Sequence, residues 1–178
     1  MRIISGSLKG RQINPPKAIK ARATTDVAKE SLFNIIHNLY EIENFSVLDL
    51  FCGTGNISFE FISNGVLQVT SVDISADSKK FIDAKSREFN VTNLFCVKAN
   101  VFNYINACKK KFNIIFADPP YELKNLEELP QLIFKNELLE NDGLLIIEHS
   151  GETKFNNHPY FDKLRKYGSV HFSFFTIK

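Results

Sequence analysis

The run Ser46-Val47-Leu48-Asp49-Leu50-Phe51-Cys52-Gly53-Thr54-Gly55-Asn56 decides the fold class. Residues 46–51 are apolar but for one acid, Asp49, and read as a short strand. Residues 52–56 are a tight turn in which Gly53 and Gly55 let the backbone pass close to a ligand without a side-chain clash. Residues 57–63 continue as a helix, closed by Asn64-Gly65. A second strand over 69–72 ends at Asp73. Strand, turn, helix and strand make a βαβ unit, and such units build parallel sheets.

The alternation extends outwards both ways. Downstream, Ser75 caps a helix running to about Asn90, with Asp77 in its first turn and Lys85 and Arg87 late in it. Residues 95–98 are a strand, 101–108 a short helix, 113–117 a strand, and 126–139 a helix with Pro130 near its first turn. Asn141-Asp142-Gly143 turns the chain into a strand over 144–148. Residues 161–166 and 170–177, around Gly168-Ser169, read as a closing antiparallel hairpin. Upstream, Thr24-Thr25-Asp26 starts a helix whose apolar face is Ala28, Leu32, Ile35, Ile36 and Leu39. Residues 2–4 and 11–13, punctuated by Gly6 and Gly10, form a small hairpin ended by Pro15-Pro16. The expected fold is one α/β domain with a mostly parallel sheet. Residues 1–22 form a basic hairpin arm of it and 23–178 its body.

Asp73 lies 18 residues after Gly55, near the spacing at which an acid holds a ribose diol. The third glycine of a dinucleotide fingerprint is missing, since Ser58 stands there. The pattern therefore points away from a pyrophosphate and towards a nucleoside cofactor. Asp49 can take an ammonium, directly or through water. Asn100, at the end of the next strand, can read an adenine edge or cap the following helix. Phe51, Ile74 and Val101 complete the expected cofactor contacts with Gly53 and Gly55. S-adenosyl-L-methionine carries an ammonium, a ribose diol and an adenine together.

Phe116-Ala117-Asp118-Pro119-Pro120-Tyr121 supplies the second half of the chemistry. Two prolines cannot continue a central strand, so the chain turns at the strand's carboxyl end, where open α/β sheets bind ligands. Prolines offer only carbonyl acceptors, and a carboxylate is likewise acceptor-only. Such a group of acceptors can grip the two hydrogens of an exocyclic amine and turn its lone pair towards an electrophilic methyl. Tyr121 adds a flat face for a base. The plain alternative is an acidic turn capped by prolines. Asp118, Pro119, Pro120 and Tyr121 are the candidate catalytic residues.

Composition narrows the class. The 178 residues, 44% hydrophobic and 24% charged, fit a single globular domain. No apolar run approaches a membrane span, and no signal-peptide pattern follows Met1. Cys52, Cys96 and Cys108 suit neither a disulfide framework nor a zinc motif, and a reducing cytoplasm is the simplest home. Cys52 has no base placed to activate it and reads as a small buried residue. His37, His149, His158 and His171 have no metal spacing, and no metal is expected. Residues 1–22 hold six basic side chains and no acid, whereas the remainder carries 16 basic and 20 acidic residues, a net of −4. Arg2, Lys9, Arg11, Lys17, Lys20 and Arg22 thus form either a polyanion-binding arm or a solvated edge. Lys109-Lys110-Lys111 reads as solvated surface.

Four segments together resemble the bacterial 16S ribosomal RNA guanine-N2 methyltransferases of the RsmD type: residues 2–11, 22–30, 48–55 and 116–121. The resemblance spans nearly the whole chain. It departs at Ala23, where the family usually has Pro, at Val27 and Lys29, where Arg is common, and at Cys52, where Ala is usual. It implies a Rossmann-like class I methyltransferase fold, with S-adenosyl-L-methionine as donor and S-adenosyl-L-homocysteine as product. The implied substrate is the N2 amine of guanine 966 in 16S ribosomal RNA, alone or within a small ribosomal subunit or assembly intermediate. Arg2, Lys9, Arg11, Lys17 and Arg22 are the expected RNA contacts. Two rivals stay open: a DNA adenine-N6 methyltransferase, which usually needs a separate target-recognition region, and a non-catalytic RNA-binding module.

Overall fold

A computed structural model describes residues 1–16, 19, 24–120 and 122–177. Seven strands form one sheet in the order β3-β2-β1-β4-β5-β7-β6. They are β1 Ser46–Leu50, β2 Gln68–Asp73, β3 Leu94–Lys98, β4 Phe112–Ala117, β5 Leu139–His149, β6 Phe161–Tyr167 and β7 Val170–Thr176. The first five pair in parallel and β7 pairs antiparallel with both β5 and β6. The Rossmann-like expectation and the antiparallel C-terminal hairpin both hold. Helices α1 Asp26–Leu39, α2 Asn56–Ser63, α3 Ala76–Glu88, α4 Val101–Ala107 and α5 Leu129–Lys135 cover the sheet. No helix among the described residues is long and apolar enough to cross a membrane.

Alternation along the strands divides the core in two. Val47, Ile114, Phe116, Leu144, Ile146, Phe172 and Phe174 face α1, α2 and the N-terminal hairpin. Leu48, Leu50, Ile115, Ala117, Leu145, Ile147 and Phe175 face α4 and α5. With both faces covered, the central strands need apolar residues at every position, which is why they appear in the sequence as unbroken runs.

Two expected elements differ. The helix expected over 126–139 is a 3₁₀ turn, Leu126–Glu128, followed by α5, which stops at Lys135. Pro130 sits at the start of α5, where its missing N–H costs nothing. The turn expected at Asn141-Asp142-Gly143 lies inside β5. Phe112 pairs with Leu139 and Ile114 with Leu144, so residues 140–143 bulge from a strand that begins earlier than its apolar run. Asp142 takes the left-handed conformation that makes the bulge.

The N-terminal hairpin is one antiparallel bridge, Arg2 to Gln12, supported by the Ile3–Arg11 and Ile13–Met1 backbone bonds. Ile3 and Ile13 are buried beneath it. Gly6 is required there: its φ is +74°, and a Cβ would lie 1.8 Å from the Ser63 carbonyl oxygen. A fully buried Lys29 forms an ion pair with Glu60 at 2.8 Å and donates to the Arg2 carbonyl oxygen and to Asn56 Oδ1. Glu60 in turn accepts from the Ile4 and Ser5 amides. Removing one partner of such a pair costs roughly 3–5 kcal/mol, so this network fixes the hairpin against α1 and α2.

Candidate active site

A cleft of about 530 Å³ opens at the carboxyl edge of the sheet, over the ends of β1, β2 and β4. Its wall brings together Asp49, Phe51, Gly53, Asp73, Ile74, Asn100 and Val101 with Asp118, Pro119 and Pro120. These come from four separate segments of the chain. Gly55 lies behind the wall. It is the N-cap of α2 in the left-handed conformation (φ +72°), and a Cβ would press within 3.0–3.1 Å of the Ile82 side chain. Tyr121, Lys17 and Arg22 lie outside the described residues, as does Lys20. Arg2, Lys9 and Arg11 sit on the hairpin, away from the cleft wall.

The two acids of β1 and β2 are held differently. Asp73 ends β2 and accepts from the Gly53 amide through Oδ2 and from the Ser75 amide through Oδ1, each at 2.8 Å. A carboxylate has about four acceptor sites, so two remain for further donors. Asp49 is buried in β1 and accepts from the Ser58 hydroxyl, which also touches Ser71 Oγ at 2.6 Å. Burial pushes the Asp49 carboxyl up to about 7. The Asp73 charge adds to that rise, and hydrogen bonds from Ser58 oppose it. Ser58, where a dinucleotide fingerprint would have glycine, therefore serves to hold Asp49.

Asn100 caps α4: its Oδ1 accepts from the Phe102 and Asn103 amides at 3.0 and 3.2 Å. The capping alternative is thus realised, on a residue that also lines the cleft. Ile74 is 66% exposed although apolar, and with Val101 and Phe102 it gives the cleft an apolar shelf beside Asp73. Phe51 has a positive φ of 60° and packs edge-on to Phe102. Backbone strain in a non-glycine residue of this kind gathers at ligand sites. Burial pushes the Cys52 thiol well up, so it is no thiolate nucleophile at neutral pH.

On the other side of the cleft, Asp118 donates its backbone amide to the Leu50 carbonyl oxygen, which ties the motif to β1. The Pro120 carbonyl oxygen accepts from the Leu123 amide at 2.9 Å, which occupies one of its two lone pairs. Thr24 lines the same cleft and donates to Glu148 Oε2 at 2.8 Å. Sequence reading placed Thr24 and Thr25 together at a helix start. Thr25 alone is the cap, accepting from Ala28 N, and Thr24 is thereby left to face Glu148. The signal for Glu148 was an acid ending the apolar run Leu144-Leu145-Ile146-Ile147. Lys29 and Asn56 were also missed as partners. Among the described residues no group of His, Cys, Asp and Glu could hold a metal ion.

The sequence pattern of the family described as "Conserved hypothetical protein 95" matches residues 1–176. A Buchnera aphidicola protein, "Ribosomal RNA small subunit methyltransferase D", is 30% identical over 98% of this chain and 91% of its own length. The Escherichia coli protein of the same name is 28% identical over 89% of this chain and 79% of its own. This chain belongs to that RsmD-type methyltransferase family. The solved Escherichia coli structure of yhhF superposes with a TM-score of 0.84 at 26% identity, covering 98% of this chain and 96% of that one. The Rossmann-like methyltransferase fold is thus common to the sequence family and the solved structure.

Proposed function

We propose that this chain methylates the exocyclic N2 amine of a guanine in 16S ribosomal RNA, with S-adenosyl-L-methionine as donor. The observation that carries the proposal is the meeting of Asp49, Asp73, Asp118 and Pro119 in one cleft. The relatives' names supply the ribosomal substrate, which would be met in the cytoplasm.

The donor set fits the cofactor. Asp73 retains acceptor sites for a ribose diol, Asp49 is an acid suited to a buried cation, and the shelf of Ile74, Val101 and Phe102 suits a flat purine. When bound, S-adenosyl-L-methionine supplies an electrophilic sulfonium methyl. Asp118 and the Pro119 carbonyl hold the two N2 hydrogens, so the nitrogen presents its lone pair to the methyl carbon. In the transfer, the new N–C bond would form as the S–C bond broke, and Asp118, or water, would take the amine's surplus proton. Holding two reactants in line is itself worth roughly 7–11 kcal/mol of barrier, and no metal is needed.

Incubation with labelled S-adenosyl-L-methionine and, in parallel reactions, unmodified small ribosomal subunits or duplex DNA, followed by mass-spectrometric mapping, tests the proposal. The label should appear on one guanine N2, at position 966. Label on adenine N6 of duplex DNA would favour the DNA reading instead. Cofactor binding without transfer to any nucleic acid would leave a binding module.

A further inference from the structure

A second cavity, of about 420 Å³, lies farther along the same carboxyl edge. Its wall is made by the ends of β5, β6 and β7 and by the loop after β5, and includes His149, Lys154, Asn156, Lys166, His171 and Ser173. The strand register sets its place. Ala117 pairs with Ile147, His149 with His171, and His171 with Lys166. The residues just past the end of β4 are therefore level with this row. At about 4.8 Å per strand, β7 stands roughly 10 Å from β4 and β6 roughly 14 Å.

His149 builds the wall. Its Nδ1 lies 2.7 Å from the Ser150 carbonyl oxygen and its Nε2 2.7 Å from Ser173 Oγ. A carbonyl only accepts, so Nδ1 carries the proton. Burial holds the ring's pKa below its ordinary value, so Nε2 accepts from the Ser173 hydroxyl. His149 thus staples the loop to β7. His171 lies edge-on to it at 5.7 Å, and the Gly151 backbone packs against the His171 ring. Lys154 and Lys166 are exposed, and neither pairs with a described acid within 4.0 Å. The result is a concave seat with two uncompensated cations, an imidazole and amide donors, on the sheet face opposite the N-terminal hairpin.

We propose that this cavity seats a backbone phosphate of the RNA strand flanking the target guanine, with Lys154 and Lys166 as its countercharges. The inference rests on the RNA-methylation reading above. The RNA would then straddle the carboxyl edge, with the hairpin on one face and this seat on the other. Phosphate contacts of this kind fix register and orientation without reading bases.

The test is RNA affinity against salt concentration for Lys154→Ala/Lys166→Ala, beside Lys110→Ala/Lys111→Ala. The control pair is exposed, precedes β4 and so lies at the opposite edge of the sheet. The first variant should flatten the slope of log K against log salt by about 0.7 for each single-strand phosphate that it no longer neutralises. The control should keep the parent slope, and both should keep the parent's melting temperature and cofactor affinity. A parent-like slope in Lys154→Ala/Lys166→Ala, or an equal flattening in the control, overturns the seat. Methyl transfer by the parent is measured in parallel. If the parent binds RNA with the expected slopes but transfers no methyl, the catalytic reading fails while the seat stands.

Discussion

The two halves of the carboxyl edge are built by different means. On the β1–β2 side, both acids are held by local partners. Asp73 is held by amides of Gly53 and Ser75, and Asp49 by Ser58, all within 20 residues of sequence. On the β4–β5 side the wall is assembled from afar: Asp118 and Thr24 line the same cleft, and Thr24 is hydrogen-bonded to Glu148 across 124 residues. The difference fits the ligands proposed for the two halves. A small nucleoside cofactor has fixed groups a few ångströms apart, which one βαβ unit can match. A nucleotide presented by a folded RNA needs walls from several segments. Damage to one half should therefore spare the work of the other.

The acceptor half offers the largest effect. Asp118→Ala removes the carboxylate proposed to grip the amine and should slow single-turnover methylation by roughly 10²–10⁴-fold. Cofactor affinity, measured by calorimetry, should stay within a few-fold. Near-parental turnover would abolish the proposed division of labour. The mirror experiment is Asp73→Ala. Hydrogen bonds to a charged group contribute roughly 1.5–3 kcal/mol, so cofactor affinity should fall about ten- to a hundredfold. Turnover at saturating cofactor should be far less affected. Unchanged affinity in a folded variant would remove Asp73 as the ribose partner.

What the sequence allowed follows the same divide. The β1–β2 wall of the cleft was legible because its turn, glycines and acids lie close together with fixed spacing. The strands were legible because double-sided burial leaves unbroken apolar runs. The bulge at residues 140–143 was hidden, because polar residues inside a strand look like a turn. Lys29 was hidden for another reason. A lysine one turn into an amphipathic helix is ordinarily exposed, and only the arrival of Glu60, Asn56 and the hairpin backbone allows it to be buried. Thr24 and Glu148 were hidden because they lie 124 residues apart in sequence and meet only in the folded chain.

A smaller effect separates the two acids within the cofactor half. Asp49 ionises at about 7 in the folded chain against an ordinary 3.8, so the native state favours the protonated form. Below about pH 4 the acid is protonated whether folded or not and contributes no pH dependence. As pH rises towards 7 the unfolded chain loses that proton and the native one retains it. Stability should fall by up to about 1.4 kcal/mol per unit and level off above pH 7. Asp49→Asn keeps an acceptor for Ser58 and should melt higher than the parent at pH 8, the two converging near pH 4. A cation alongside favours the carboxylate. Parental cofactor affinity should thus rise up to about fivefold between pH 6 and 7, by linkage to a single proton, and the variant should lose that rise. A parental affinity flat from about pH 5.5 to 8 would dissociate Asp49 from the ammonium.

The smallest effect tests whether the hairpin belongs to the acceptor half at all. Arg2 is paired with Asp26 at 2.9 Å and is a poor probe, because its charge is already countered. Lys9 is exposed, and Arg11 lies with its guanidinium 5.7 Å from the Phe89 ring centre. The hairpin's anchors, Ile3, Ile13 and Gly6, do not depend on either charge, so Lys9→Ala/Arg11→Ala should fold. Removing the guanidinium from the ring costs only about 0.5–1 kcal/mol at an exposed site. If the arm meets phosphates, RNA affinity should drop, and the salt slope should flatten by about 0.7–0.9 per phosphate. Cofactor affinity should not move, since neither side chain lines the cleft. If the charges are merely solvated, the slope stays parental and only the melting temperature slips. A titration at four or more salt concentrations distinguishes these outcomes, and a parental slope would remove Lys9 and Arg11 as phosphate contacts.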